Sequence, residues 1–255
     1  MRCTKLSLFL FSLSRRHFMT DDKPKVISLF SGAGGLDIGF EAAGFEIAVA
    51  VELDSSCCET LRCNRPNTCV INKDISDVAG EEILSASGLN VGEAALVIGG
   101  PPCQSFSLAG LRKGLDDDRG KLLFEFVRIV RETLPKGFVL ENVKGLVNWD
   151  HGKALNLLLE ELSKPIEYNG ETFQYTIAKP QVLNAVDYEV PQFRERLILV
   201  GNRIGKDFLY PAPKLFVPQK TVWDAIGDLP AAEQPSETAL RVSKTIKGRR
   251  EKYGY

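Results

Sequence analysis

Short apolar runs alternate with amphipathic segments from residue 26 onward, and this alternation constrains the fold more than any other feature of the sequence. The predicted strands are residues 26–30, 45–51, 68–71, 94–99, 137–141, 175–183 and 196–201. The predicted helices are residues 36–43, 120–133, 154–162 and 221–226, and one that is capped by Ser55 or Ser56 and ends near residue 64. Strands joined by helices in this way predict an α/β fold with a doubly wound, mostly parallel sheet.

A single cysteine follows the fourth predicted strand. Pro101 and Pro102 have fixed φ angles and lack the N–H groups that a strand ladder needs, so they end the apolar run. Cys103 is therefore predicted on a stiff corner at the carboxyl edge of the sheet, where open α/β folds bind their ligands. We interpret it as a nucleophile. An isolated cysteine is more often a small buried apolar residue, so this interpretation depends on the features that surround it.

Glycines and carboxylates mark the ends of the first three strands. Gly32 and Gly34 form a tight turn, which is typical of any strand-to-helix corner as well as of a ligand site. A dinucleotide-binding turn would have a further glycine where Asp37 stands, and a carboxylate would face a pyrophosphate unfavourably. Glu52 can accept hydrogen bonds from both ribose hydroxyls, and Asp74 can accept one from an adenine amino group. The pattern favours S-adenosylmethionine over NAD.

Composition narrows the class of protein. The chain has 255 residues, 44% of them hydrophobic, and a net charge of −1, so any nucleic-acid contact requires a local basic surface. Six cysteines occur without a Cys-x-x-Cys pair, and only two histidines are present. Reduced thiols in the cytoplasm are therefore favoured over a zinc site in the cysteine-rich residues 57–69, and we expect no metal.

The first residues resemble a signal peptide only superficially. Their apolar part, residues 6–13, is short, contains two serines, and is followed by two arginines without a small-residue cleavage site. It is also too short to span a bilayer, so no membrane partner is expected. We interpret residues 1–24 as an extension that is disordered or lies upstream of a start at Met19.

Seven segments between residues 26 and 201 together resemble the cytosine-5 DNA methyltransferase family. They are Phe30-Ser-Gly-Ala-Gly-Gly35, Glu52, Asp74-Ile75, Gly100-Pro-Pro-Cys-Gln-Ser-Phe-Ser107, Arg119-Gly-Lys-Leu122, Glu141-Asn-Val143 and Gln192-Phe-Arg194-Glu-Arg196. The resemblance implies a Rossmann-like S-adenosylmethionine-dependent methyltransferase fold. It also implies methylation of carbon 5 of a cytosine flipped out of double-stranded DNA, as in bacterial restriction-modification systems. RNA is a weaker alternative substrate.

The resemblance also assigns catalytic roles. Cys103 would attack carbon 6 of the cytosine, and Glu141 would act as an acid at N3 of the ring. Arg196 would reach the target nucleotide, and Arg194 would brace the site. Without the resemblance, the two arginines would be interpreted as a solvated strand face.

The cofactor residues follow from the same resemblance, and the chain departs from the family at Leu53, at Ala95, where an acidic residue is usual, and at Glu189. Phe30 would lie against the adenine, Gly32 and Gly34 beneath the methionine part, Glu52 on the ribose, Asp74 and Ile75 at the base, and Pro102 and Leu122 along the pocket wall. Leu53 stands where several family members have an aromatic residue, which weakens a stacking contact. Glu189 stands where glycine is common.

The resemblance divides the chain into a catalytic domain at residues 25–215 and a linker at residues 216–255 toward a target-recognition domain. Residues 104–120 are predicted to form a surface loop that closes as a lid. Three hypotheses follow. The chain is the catalytic part of a split enzyme whose recognition part is a second polypeptide, a truncated product that is inactive alone, or a non-catalytic module that binds cofactor or nucleic acid.

Overall fold

The computed structural model describes residues 23–102, 121–214 and 219–229, together with residues 237, 240, 241 and 244. Its strands are β1 (Lys25–Leu29), β2 (Glu46–Glu52), β3 (Cys69–Asn72), β4 (Leu96–Gly99), β5 (Gly137–Val143), β6 (Ile166–Tyr168), β7 (Glu171–Phe173), β8 (Thr176–Ile177), β9 (Gln181–Asn184) and β10 (Glu195–Asn202). Its α-helices are α1 (Gly35–Ala42), α2 (Ser55–Asn64), α3 (Gly80–Ser87), α4 (Lys121–Thr133), α5 (Lys153–Ser163) and α6 (Val222–Ile226). Cys103 and the predicted lid lie outside the described residues.

The main sheet has the strand order β3-β2-β1-β4-β5-β10-β8, and β9 also pairs with β10. Strands β1 to β5 are mutually parallel, whereas β10 is antiparallel to β5, with Arg196 opposite Val143. The carboxyl ends of the five parallel strands therefore meet the amino end of β10 at one edge of the sheet. The predicted α/β, mostly parallel architecture is confirmed.

Apolar side chains cover both faces of the sheet, as a doubly wound fold requires. On one face, Val26 of β1 and Ile98 of β4 pack with Phe40 of α1. On the other face, Ile27 and Leu29 belong to a larger cluster. Helices α3, α4 and α5 contribute Ile83, Leu84, Phe126, Val130, Leu158 and Leu162 to that cluster. Neighbouring residues of β1 thus point into two different cores, which holds the strand firmly between helical layers.

Some local predictions were wrong. Asp54, not Ser55 or Ser56, caps α2, because its Oδ1 accepts a hydrogen bond of 2.9 Å from the Cys57 N–H. The strand predicted at residues 175–183 is two short strands, β8 and β9, and Pro180 between them cannot donate to a ladder. Helix α3 and the hairpin of β6 and β7 were not predicted.

The chain turns back toward the carboxyl edge after β10. The Tyr210 hydroxyl donates to the Ile198 carbonyl at 2.8 Å, and the Tyr188 hydroxyl donates to the Pro211 carbonyl at 3.0 Å. The Lys214 N–H then donates to the Asp187 carbonyl at 2.8 Å, beside the amino end of β10. Over the residues that the structure describes, no helix is long and apolar enough to cross a membrane.

Candidate active site

The turn after β1 has three residues in the left-handed region of backbone space. Gly32 and Gly34 have φ angles of 54° and 86°, and Phe30 has a φ of 53°. Glycine adopts this conformation readily, whereas for a bulky residue such as phenylalanine it is strained. Such strain clusters at ligand-binding sites because the surrounding structure must hold it in place. The turn therefore presents the Phe30 ring in an orientation that an extended strand end would not give.

Glu52 at the end of β2 is held by two backbone groups. The Gly32 N–H donates to its Oε2 at 2.7 Å, and the Asp54 N–H donates to its Oε1 at 2.9 Å. Each carboxylate oxygen can accept more than one hydrogen bond, so both remain available to a ligand. The carboxylate is thus oriented before any ligand binds.

Asp74 is oriented in a similar way after β3. Its Oδ1 accepts hydrogen bonds from the N–H and the hydroxyl of Ser76, at 2.9 and 2.7 Å. These bonds lower the pKa of Asp74 below its usual value, so the carboxylate is an ionised acceptor at neutral pH.

A cavity of about 260 Å³ lies outside the carboxyl edge, between the ends of β1 to β4. Its lining residues are Phe30, Val51, Glu52, Leu53, Lys73, Asp74, Ile75, Gly100, Pro102 and Leu122. Six of the predicted cofactor residues thus line this one cavity. Leu53 lies beside them and is 64% exposed. Gly32 reaches this cavity only through its hydrogen bond to Glu52.

Gly34 and Asp37 are both buried beside the turn. A Cβ on Gly34 would lie 2.4 Å from Nη1 of Arg65, so the glycine makes room for this arginine, and its place beneath the methionine part of the cofactor stays a prediction. Asp37 is fully buried, and its Oδ1 accepts a hydrogen bond of 2.6 Å from the Ser28 hydroxyl. Burial raises the pKa of Asp37. This carboxyl faces the core of the protein and not a ligand's pyrophosphate.

Glu141 and Arg196 form an ion pair between the two antiparallel strands β5 and β10. The Arg196 Nε lies 2.7 Å from Oε1 of Glu141, and both side chains are about one quarter exposed, at 26% and 27%. A Cβ at Gly100 would lie 3.0 Å from Oε2 of Glu141. Because Gly100 also lines the first cavity, the Glu141 carboxylate lies directly behind that cavity's wall.

Asn142 follows Glu141 and was not predicted to have a role of its own. Its side chain is 2% exposed, and its Nδ2 donates to the Pro101 carbonyl at 3.1 Å. Its Oδ1 accepts a hydrogen bond of 2.8 Å from the Val143 N–H. The segment that leads into Cys103 is therefore hydrogen-bonded to β5 through the side chain of Asn142. In the sequence, only its place in Glu-Asn-Val indicated a role for this residue.

A second, more open cavity of about 480 Å³ borders the amino end of β10. It is lined by Val143, Lys144, Gly145, Gln192, Phe193, Arg194, Glu195 and Arg196. The Phe193 ring is 80% exposed, and Lys144 forms an ion pair of 2.8 Å with Glu195. Both predicted arginines line this cavity, and Arg196 also forms the ion pair with Glu141. The Glu141 carboxylate thus lies between the two cavities.

Glu189 stands two residues before Pro191, and its φ of 69° explains why glycine suits this position. The described cysteines, Cys57, Cys58, Cys63 and Cys69, are all free thiols. Among the residues that the structure describes, no group of three or more His, Cys, Asp or Glu side chains could hold a metal ion. Burial raises the pKa of the Cys57 and Cys58 thiols, which keeps them protonated at neutral pH.

The sheet, with a cavity at the switch between β1 and β4, defines an α/β fold whose carboxyl edge is the candidate site for a small molecule. Comparison with known proteins gives the family. Residues 24–252 match the family model of C-5 cytosine-specific DNA methylases, and the chain belongs to that family. The predicted family and fold class are confirmed.

Individual relatives agree with this assignment. The type II methyltransferase M.AquIA of Picosynechococcus is 56% identical over 246 residues, which cover 91% of this chain and 99% of that protein. The type II methyltransferase M.XorII of Xanthomonas oryzae is 43% identical over 212 residues, 83% of this chain but 47% of that protein. A crystal structure described as a DNA modification methyltransferase from an Escherichia coli prophage superimposes with a TM-score of 0.67 at 31% identity, covering 81% of this chain and 55% of that one. The chain thus spans nearly all of M.AquIA and about half of the other two proteins.

Proposed function

We propose that this chain is the catalytic part of a type II DNA (cytosine-5-)-methyltransferase, which transfers a methyl group from S-adenosylmethionine to carbon 5 of a cytosine in duplex DNA. The observation that carries the proposal is the position of Glu141 between two cavities. One has the carboxylates and apolar walls that suit a nucleoside, and the other is open and contains Arg194 and Arg196. The family membership of the chain supports the same reaction.

The residues around the first cavity fit S-adenosylmethionine. Glu52 would accept hydrogen bonds from the ribose hydroxyls, and Asp74 would accept one from the adenine amino group. The rings and alkyl groups of Phe30, Ile75 and Leu122 would cover the faces of the adenine. Gly32 would act indirectly, by holding Glu52. When bound, this cofactor supplies a methyl group with the electrophilic character that the reaction needs.

The chain's own residues would perform the remaining chemistry on the base. The Cys103 thiolate forms a bond to carbon 6, and its electron pair makes carbon 5 nucleophilic enough to take the methyl group. Glu141 holds a proton at N3 and so offsets the charge that develops there. Loss of the proton on carbon 5 and breakage of the bond between sulfur and carbon 6 then restore the thiolate. The ion pair between Glu141 and Arg196 supports these roles because it holds the two side chains together at the carboxyl edge of the sheet.

The second cavity would receive the strand that carries the flipped cytosine. Arg194 and Lys144 can contact phosphates, and the exposed Phe193 ring can stack on a base or a sugar. The combination of basic side chains with an exposed aromatic ring is typical of nucleic-acid contacts.

We also propose that the DNA sequence is read by a second polypeptide that works with this chain in the cytoplasm, with residues 25–215 as the catalytic domain and residues 216–255 as the linker. M.AquIA, which this chain matches over 99% of its length, is named a type II methyltransferase at a similar chain length. If instead the chain is a truncated product, it will bind cofactor without methylating DNA. Activity assays with and without the product of the adjacent reading frame separate the two arrangements.

The covalent step is tested with labelled S-adenosylmethionine and duplex DNA that contains 5-fluorocytosine. This base blocks release of the enzyme, so we expect a covalent adduct that is absent in Cys103→Ser. Cys63→Ser is the matched control, because Cys63 is an exposed thiol on α2. An adduct that persists in Cys103→Ser refutes the assigned nucleophile. The same assay with transfer RNA tests the alternative substrate.

A further inference from the structure

We propose that Arg65 is a positioning residue for the cofactor site, although it does not line the site's cavity. The inference rests on the proposed function, because it concerns the binding of S-adenosylmethionine. Arg65 directly follows α2, and its side chain is only 9% exposed. It crosses to α1, where its Nε and Nη2 donate to the two carboxylate oxygens of Glu41 at 2.8 and 3.0 Å. This bidentate ion pair fixes both the position and the plane of the guanidinium.

The same guanidinium lies against the glycine turn. Its Nη2 donates to the Gly34 carbonyl at 3.2 Å, across 31 residues of sequence. That carbonyl also accepts the first helical hydrogen bond of α1, from the Ile38 N–H at 3.1 Å. A Cβ on Gly34 would lie 2.4 Å from Nη1 of Arg65 and 3.0 Å from Cδ2 of Leu61. The arginine therefore packs on the turn so closely that only glycine fits at residue 34.

From Gly34 the contacts lead to the ribose-binding carboxylate. The Gly34 N–H donates to the Ser31 carbonyl at 2.9 Å, which closes the turn around Gly32. The Gly32 N–H, with φ at 54°, donates to Oε2 of Glu52 at 2.7 Å. If Arg65 is removed, the turn loses the group that packs on Gly34, and the Gly32 N–H is free to move away from Glu52. The loss of Arg65 should weaken cofactor binding more than it changes catalysis on the base, because Glu141 and Arg196 lie on β5 and β10.

The experiment compares Arg65→Met with Arg62→Met in the full chain, or in its complex with any partner that activity requires. Arg62 lies on α2, three residues before Arg65. It is exposed and donates only to the Val70 carbonyl among the hydrogen bonds of the described residues. Arg65→Met should raise the Kd of S-adenosylmethionine about three- to twentyfold, while kcat at saturating cofactor stays close to that of Arg62→Met. Arg65→Lys keeps the charge but not the bidentate ion pair, so its Kd for S-adenosylmethionine should lie between those of wild type and Arg65→Met.

Gly34→Ala provides a second measurement that does not depend on activity. In the wild-type background the new methyl group collides with Arg65, whereas in Arg65→Met part of this collision is relieved, so the losses in Tm should be less than additive. Additive losses, or equal affinities of Arg65→Met and Arg62→Met, overturn the inference. A wild-type protein that binds no S-adenosylmethionine overturns the proposed function instead, and the cofactor role of Arg65 with it.

Discussion

The side-chain amide of Asn142 is hydrogen-bonded to the carbonyl of Pro101 inside the protein, 3.1 Å away and across 41 residues of sequence. The bond joins the strand that carries Glu141 to the segment that leads into Cys103. A proton-handling group and a nucleophile must keep their distance from each other to within a fraction of an ångström during a reaction. Asn142 therefore couples the two halves of the proposed chemistry.

Asn142→Ala tests this coupling. The substitution removes the buried hydrogen bond to the Pro101 carbonyl and leaves a small cavity, so we expect a loss of about 1–3 kcal/mol in the free energy of unfolding. We also expect kcat to fall at least about tenfold, while the Kd of S-adenosylmethionine changes little. Asn202→Ala is the control, because Asn202 is equally buried and its Nδ2 donates to the Lys206 carbonyl at 2.7 Å, far from the site. Equal losses of kcat in both variants would show that Asn142 contributes to the stability of the fold and not to catalysis.

Glu141→Gln keeps the shape of the side chain but removes its ability to donate a carboxyl proton. We expect methyl transfer to slow by about 10²- to 10⁴-fold, the usual contribution of a general acid. Cofactor affinity should stay constant, as titration calorimetry would show. The control is Glu195→Gln, which breaks the exposed ion pair with Lys144, the residue that directly follows β5. Turnover within tenfold of wild type would remove Glu141 from the mechanism.

Glu52→Gln should weaken the binding of S-adenosylmethionine. Replacing the carboxylate by an amide exchanges charge-assisted hydrogen bonds to the ribose for weaker or mismatched ones. The Kd of S-adenosylmethionine should rise about ten- to hundredfold. Glu46→Gln, at the exposed opposite end of β2, should leave the Kd unchanged. A cofactor affinity that is the same in both variants would contradict the proposed orientation of the nucleoside.

Asp37 predicts a pH dependence of stability. Burial raises its pKa, so the folded protein binds this proton more tightly than the unfolded chain does. The stabilisation is complete below the unfolded pKa of about 4 and is lost as pH rises through the folded pKa. Because Asp37→Asn does not titrate, its Tm relative to wild type should improve between about pH 4 and pH 7. Scanning calorimetry across this range would measure the change.

Asp224→Asn is the control for this titration. Hydrogen bonds from Thr221 lower the pKa of Asp224, so the wild type gains stability above the unfolded pKa and loses it as pH falls. The Tm of Asp224→Asn relative to wild type should therefore change little between about pH 4 and pH 7, and it should improve only as pH falls below about 4. A difference between Asp37→Asn and wild type that does not vary with pH would mean that Asp37 titrates alike in both states.

Residues at strand ends were the predictable part of the site. Parallel strands bring their carboxyl ends to one edge, so the positions of Glu52 and Asp74 in the sequence were enough to place both in one cavity. The contacts of Arg65 with Gly34 and of Asn142 with Pro101 were not predictable, because each depends on how two distant elements pack. Asp37 was misplaced for a related reason. A spacing rule for glycine turns tells which residue follows the turn, but the rotation of α1 decides that this residue faces Ser28.

The return of the chain after β10 has a practical consequence for engineering. Strand β10 runs away from the site, but the contacts of Tyr210, Pro211 and Lys214 bring the following residues back beside Asp187. A DNA-binding module joined shortly after residue 214 would therefore start on the side of the sheet where the base is handled. Such a fusion could use a short linker, whereas one joined at Asn202 would need to bridge the height of an eight-residue strand, about 25 Å.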